Sequence, residues 1–479
     1  MNPNPIIGVL YHWLGGLASG SFYVPYRGVK GWAWETFWLA GGVFSWIIAP
    51  WFFGLLMTND LITVLHETPG TVLFWTFFFG LLWGVGGLTF GLTMRYLGLS
   101  LGMAVVLGLC AAFGTLIPPI FRGEFMTQVV GTSSGRIILL GILVCLLGIA
   151  SAGVAGIFKE RNMSPEQQKA TIKEFDLKKG VGVAFLSGVM SACFAYGLAA
   201  GDPIKTLTIK HGTPDLWQGL PVLVVVLIGG FTTNFIWCLI LNVRNRTGYQ
   251  YFTSVSRQGE GEASDETIIE TALDAPSREV VEHVTPVRAD LHAKSSTAIA
   301  ETPVSRIPSG RNQGAARVPM LVNYLLCALA GTTWYFQFFF YTMGETQMGR
   351  YKFSSWTLHM ASIIIFSSLW GIGLKEWKGA GVKAGRMLAL ALALLVGSTV
   401  IVGYGNYLGM AHWAITTTCG PTGEGCQAPN HQLSLISADH HSSRDGGTGR
   451  RSGLKIRRAS ALGGSTPPPG TKQLPLYFQ

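Results

Sequence analysis

VPMLVNYLLCALAGTTWYFQFFFYTM, residues 318–343, is the stretch whose reading decides the fold. It holds no Asp, Glu, Lys or Arg. At about 1.5 Å rise per residue it is long enough to cross a bilayer core of about 30 Å as a helix. Its second half, from Gly331 to Tyr341, sets aromatics on both sides of one amide, Gln337. An amide at membrane depth must find a hydrogen-bond partner or line a cavity. Two readings fit. Either aromatics pack the helix and Gln337 bonds a neighbouring helix, or the stretch faces a sugar, whose C–H faces stack on rings and whose hydroxyls bond amides.

Composition places the rest of the chain in the same solvent. Of 479 residues, 49% are hydrophobic and 13% charged, and the mean hydropathy is positive. These values exclude an ordinary soluble enzyme and define an all-α polytopic membrane protein. The 62 glycines suit helices that must approach closely without a hydrophobic driving force. The net charge of +10 lies mostly in connectors and tails, which points to a membrane surface rather than to nucleic acid. Cys110, Cys145, Cys193, Cys238 and Cys327 lie inside apolar segments as small packing residues, and no Cys/His spacing implies a metal or cofactor.

Apolar runs long enough to span occur near 5–24, 34–57, 71–94, 99–121, 137–158, 180–200, 218–243, 318–343, 354–374 and 384–410, about ten helices. The first lacks the positive leader of a cleaved signal peptide and is expected to remain as helix one. Connectors after odd-numbered helices hold 22 Lys and Arg and those after even-numbered helices six. The odd connectors are therefore expected in the cytoplasm and both termini in the periplasm. Residues 1–158 form the first half and 159–179 a cytoplasmic connector. Residues 180–244 and 318–411 form the second half. Residues 245–317 read as a disordered cytoplasmic insertion, and 412–479 as a disordered tail that carries Cys419 and Cys426.

A repeat divides the helices five and five. Helix one carries Gly16-x-x-Ser19-x-x-Phe22 and helix six Gly188-x-x-Ser191-x-x-Phe194. Helix four carries Phe113-x-x-Leu116 with Arg122 six residues on, and helix nine Phe366-x-x-Leu369 with Lys375 six residues on. An odd offset means that the halves cross the membrane in opposite senses, the inverted-repeat plan of secondary transporters with substrate near the midplane.

The runs Gly31-Trp-Ala-Trp-Glu-Thr36, Met94-Arg-Tyr-Leu-Gly-Leu-Ser-Leu-Gly102, Phe175-Asp-Leu-Lys-Lys-Gly180, Trp334-Tyr-Phe-Gln-Phe-Phe-Phe-Tyr341, Trp356-Thr-Leu-His-Met360 and Leu374-Lys-Glu-Trp377 closely resemble the L-rhamnose/proton symporter family of the drug/metabolite transporter superfamily. The resemblance covers roughly 5–244 and 318–411. It implies a ten-helix, two-repeat carrier of the bacterial inner membrane, not an enzyme, that imports a deoxyhexose with a proton and needs no cofactor. An exporter or exchanger of the same superfamily is the alternative. The chain departs from the pattern in the insertion, in the tail, and at Gly86-Gly87, where enteric members carry an asparagine. Which sugar is carried, and in what oligomeric state, is left open by the sequence.

Proton coupling needs a titratable group on the path. Glu35, Glu124, Asp202, Glu345 and Glu376 all fall at helix ends. His12 in helix one and His359 in helix nine remain, with an ordinary imidazole pKa of about 6.5, and Glu345 is the reserve. Each histidine, taken alone, reads more readily as helix glue bonded to a backbone carbonyl or serine. Arg95, Lys375 and Glu376 read as snorkelling anchors, or as an inner gate in which Glu376 pairs with Arg95. Asn234 and Gln337, amides deep in helices, join Trp334, Tyr335 and Phe22 as candidate sugar contacts.

Overall fold

The computed structural model describes residues 3–162, 177–254 and 318–418, with the backbone alone at 95, 99, 177 and 412–418. Each of the ten apolar runs is helical. The helices are α1 Pro5–Ser21, α2 Trp34–Met57, α3 Gly70–Leu97, α4 Leu99–Phe121 and α5 Ser133–Arg161. They continue with α6 Leu177–Ala200, α7 Leu220–Arg244, α8 Met320–Thr346, α9 Ser355–Gly373 and α10 Gly381–Thr418. Among the described residues, eight helical spans are long and apolar enough to cross a membrane by length and composition. The other two runs are α1, with 17 residues, and α8, whose Asn323, Thr332, Thr333 and Gln337 lower its hydropathy.

α1 shows how sequence selects the packed face. Ile6, Leu10, Leu14 and Leu17 form one exposed stripe, while Gly8, His12, Gly15 and Gly16 are buried on the opposite side. In lipid the leucines need no cover, so small and polar residues make the helix contacts. Asn4 caps the helix, accepting from the amides of Ile6 and Ile7, and its own amide donates to Gln347 Oε1 at 3.0 Å. A Cβ on Gly15 would lie 2.8 Å from the carbonyl oxygen of Gln337, and one on Gly16 would lie 2.4 Å from Ser362 Oγ. α1 therefore packs against α8 and α9 at backbone distance.

The same junctions recur on the other side of the bundle. α1 runs antiparallel to α8, with Gly8 beside Gln347 and Gly28, past the helix end, beside Leu326. α6 runs antiparallel to α3, with Gly180 beside Leu97 and Gly197 beside Phe79. α1 lies parallel to α9, and α6 parallel to α4, where Gly188 meets Leu109. α2 packs on α8 as α7 packs on α3. α5 and α10 cross antiparallel through Gly141 against Val402, Gly148 against Leu395 and Gly405 against Ile138. Exchanging each helix for the one five along maps these pairings onto one another.

Several expectations need correction. Residues 245–254, counted with the insertion in the sequence, are ordered. Gly248–Tyr251 is a 3-10 turn, and Gln250 Oε1 accepts from the Ala33 amide at 2.7 Å and from Thr36 Oγ1 at 2.9 Å. The amide of Val318 donates to the Ser254 carbonyl at 2.8 Å, so the two ends of the segment meet. The physical reason is that polar side chains just past α7 find partners at the start of α2, where Glu35 Oε1 accepts from Thr247 Oγ1 at 2.6 Å and from Asn245 Nδ2 at 3.2 Å. Residues 255–317 and 163–176 lie outside the described residues, as do Cys419 and Cys426. Helix α10 runs on through residues 412–418, where the sequence placed the start of the tail, because no breaker occurs before Gly420. The backbone of α2 also makes a π-helical turn at Val43–Ile48, a feature that often marks a functional position.

Candidate functional site

Helix α8 divides the site by its faces. Trp334, Phe338 and Tyr341 fall on one face, at the three- and four-residue spacing of neighbours on a helix. Trp334 lies against Trp46 and Trp83, with centroids 5.5 and 5.8 Å away. Phe338 stacks on Phe194 of α6 at 3.9 Å. Tyr335 sits on another face, stacked on Phe53 of α2 at 5.7 Å, fully buried and apart from these rings. The π turn in α2 brings in Trp46, which is 3% exposed.

The two histidines meet at Tyr341. His12 and His359 each place a ring centroid 5.3 Å from the Tyr341 ring. Both are fully buried, and none of their four ring nitrogens has a hydrogen-bond partner. Helix glue would require such a bond, and no protein group supplies one here. Ser362 Oγ, the serine nearest to hand, donates instead to a backbone carbonyl, with those of His12 and His359 at 2.9 and 2.8 Å. Gln337 is 4% exposed and its Nε2 also lacks an acceptor. Asn234, by contrast, is satisfied: Oδ1 accepts from Trp38 Nε1 at 3.2 Å and Nδ2 donates to the Gly230 carbonyl at 2.9 Å.

Above Tyr341 opens a cavity of about 260 Å³, room enough for a hexose. Tyr341 and Trp356 line it together with Arg122, Glu345, Arg350 and Lys352. Trp356 touches both layers. Its Nε1 donates to the Cys110 carbonyl at 3.1 Å and its ring lies 6.0 Å from His359. At the rim, Lys205 Nζ lies 2.8 Å from Glu345 Oε2 and 3.0 Å from Asp202 Oδ1, and Asp202 also pairs with Arg122. Glu345, the reserve proton carrier, is thus held in an ion-pair network.

Phe22 lies elsewhere, in an aromatic cluster with Tyr23, Tyr26 and Trp32 toward the end of α1. It shares with Trp334 and Trp46 a void of about 10 Å³, the size of one water and too small for a sugar. Below that cluster Glu376 pairs with Arg27 at 3.0 Å. The side chain of Arg95 is outside the described residues. Lys375 is exposed at a left-handed turn with φ of 62°, consistent with an anchor, whereas the Glu376 side chain is only 8% exposed and salt-bridged. Sequence reasoning did not single out Tyr341, Trp356, Lys205 and Phe194, which the fold brings to the candidate site. The last was legible as the counterpart of Phe22 in the repeat.

The family model described as L-rhamnose-proton symport protein (RhaT) matches residues 1–252 and 306–411. The chain is 32% identical over 401 residues to the L-rhamnose-proton symporter of Cronobacter sakazakii, covering 83% of this chain and 97% of that protein. It is 31% identical to the symporter of the same name from Citrobacter koseri, with 83% and 97% covered, and to that from Yersinia pestis, with 85% and 99% covered. No solved structure matches the chain. With aligned residues running through every long helix and ending at the same insertion and tail that set the chain apart, the chain belongs to the L-rhamnose-proton symport protein family.

Proposed function

We propose that this protein imports L-rhamnose or a similar deoxyhexose together with a proton, by alternating access in the bacterial inner membrane. It is a transporter and not an enzyme. The observation that carries the reading is the pair of buried imidazoles, His12 and His359, which have no hydrogen-bond partners and both lie against Tyr341, a residue that lines the cavity. A neutral imidazole can load a proton from that side and release it to the other. Tyr341 and Trp356 line the cavity and offer ring faces to the sugar, and Gln337, one helical turn before Tyr341 and outside the cavity lining, has an unused N–H that a sugar hydroxyl reaching deeper would meet.

Ten crossings in two inverted repeats support alternating access, and membership of the drug/metabolite transporter superfamily accords with that plan. The support comes from the packing: the contacts of α1 with α8 and α9 have their counterparts in those of α6 with α3 and α4. Charge asymmetry supports periplasmic termini, which puts the cavity on the outer side.

The test is uptake of labelled L-rhamnose into right-side-out vesicles whose exterior is acidified. Accumulation that rises with the acid pulse and collapses with a protonophore is expected. Entry indifferent to external pH would overturn proton symport. Efflux of preloaded sugar driven by the same pulse would favour an exporter.

A further inference from the structure

Two ion pairs sit at the ends of equivalent helices. Arg27, just past the end of α1, pairs with Glu376, just past the end of α9. Arg122, at the end of α4, pairs with Asp202, just past the end of α6. The exchange that carries α1 onto α6 and α9 onto α4 carries one pair onto the other. The match is of helix ends and not of residues: in the Phe-x-x-Leu runs Arg122 falls six residues after Leu116, but Glu376 falls seven after Leu369, one past Lys375. The signs differ too. The cation is on the α1 side of the first pair and the anion on the α6 side of the second.

The pairs lie on opposite faces. α8 runs parallel to α6, with Phe338 on Phe194 and Glu345 at Lys205, and antiparallel to α1. The end of α1 and the end of α6 therefore point in opposite directions. Each pair also ties one half of the chain to the other, since α1 and α4 belong to the first five helices and α6 and α9 to the second. An anchor charge reaches headgroups or water and needs no protein partner. These carboxylates are withdrawn instead, with side chains 8% exposed at Glu376 and 29% at Asp202. The outer pair is extended by Lys205, which links Asp202 to Glu345 on α8 at the edge of the cavity.

We propose that Arg27–Glu376 and Arg122–Asp202 are the two clasps of one gating device, closing the inner and the outer mouth, and that transport opens each while the other holds. The proposal rests on the alternating-access reading above. Its physical content is a population shift: a bond present only in one state favours that state by its own strength.

The experiment places a reporter cysteine at Ala199, which lines the outer cavity, in full-length protein with Cys419→Ser and Cys426→Ser. It reads the labelling rate in intact cells by a membrane-impermeant maleimide, without sugar. Asp202→Asn releases the outer clasp and raises the rate about threefold, the shift a partly exposed ion pair can support. Glu376→Gln releases the inner clasp and lowers the rate by about the same factor. Arg27→Gln, which breaks the inner pair from its other side, lowers it likewise and serves if Glu376→Gln fails to insert. The charge-swapped double variant Arg27→Glu, Glu376→Arg restores the parent rate. Shifts in the same direction for the two clasps, no shift in either, or no rescue by the swap would overturn the proposal. Because no sugar is present, opposite shifts together with failed rhamnose uptake would overturn the substrate reading and leave the clasps standing.

Discussion

Replacing Gln337 by leucine separates binding from stability, because the same amide is asked to serve one and harm the other. The side chain is 4% exposed and its Nε2 meets no protein acceptor. Leaving a buried polar group unbonded costs about 1–3 kcal/mol. Leucine is close in size and has no such group, so Gln337→Leu should raise the melting temperature of the detergent-solubilised protein. In the sugar complex the amide gains its partner, and without it a sugar hydroxyl is buried unbonded at about the same cost. With about 1.4 kcal/mol per tenfold, the KM for proton-driven uptake should rise about ten- to a hundredfold. Accumulation of what enters should persist, since the histidines are untouched. A variant that melts lower and keeps its KM would refute the reasoning, because it would place the amide in a protein hydrogen bond and off the sugar path.

The other expectations are these. His12→Gln or His359→Gln, whichever residue carries the proton, abolishes accumulation against a gradient while exchange continues; if the double variant still accumulates sugar after an acid pulse, Glu345 is the residue to test. Gly16→Ala forces a methyl to about the position where Ser362 now sits, its Cβ meeting side chain and backbone at 2.4–2.6 Å, and overpacking of this kind costs about 1–3 kcal/mol, read as a lower melting temperature. His211, outside the spans, has its pKa raised above 6.5, first by its hydrogen bond to Glu67 and further by Asp60. A raised imidazole pKa stabilises below the unfolded value and loses that contribution as pH rises through the folded value. The gap in melting temperature between the parent and His211→Gln should therefore be present near pH 5.5 and vanish at alkaline pH. Deleting 256–316 should leave uptake nearly intact, whereas a deletion that begins at Gln250 also removes the clamp on Ala33 and Thr36 and should lower the yield of folded protein.

The helices were legible because each is a long apolar run, and lipid demands little more of a sequence than length, low charge and satisfied backbone. Residues 320–343 of the opening stretch lie in α8, and Gly16 and Gly188, matched in the sequence, stand at the α1–α9 and α6–α4 crossings. The candidate site was legible in part, for a geometric reason. Trp334 and Tyr335 are adjacent in sequence and alike in chemistry, yet a helix turns about 100° per residue. One joins the rings around Phe338 while the other packs on Phe53. Composition cannot say which. Asn234 stood in the sequence as a candidate sugar contact, and in the fold its amide bonds protein groups; one partner, Trp38, lies 196 residues away in the chain.

The histidines were singled out in the sequence by an absence, and their proximity to one another came only from the fold. With every helix-centre carboxylate missing, His12 and His359 stood out, but nothing in the spacing placed them on one tyrosine. Their meeting follows from the small residues around them. Gly344 lets α8 pass His12, where an added Cβ would lie 2.8 Å from Nε2, and Gly15 brings α1 within reach of His359, where an added Cβ would lie 3.6 Å from Nδ1. The glycines that permit close packing in lipid are also those that bring α8 up to His12 and α1 up to His359. On the mechanism proposed above a proton carrier needs nitrogens that no fixed neighbour has claimed, and the four imidazole nitrogens in this tightly packed bundle meet that requirement.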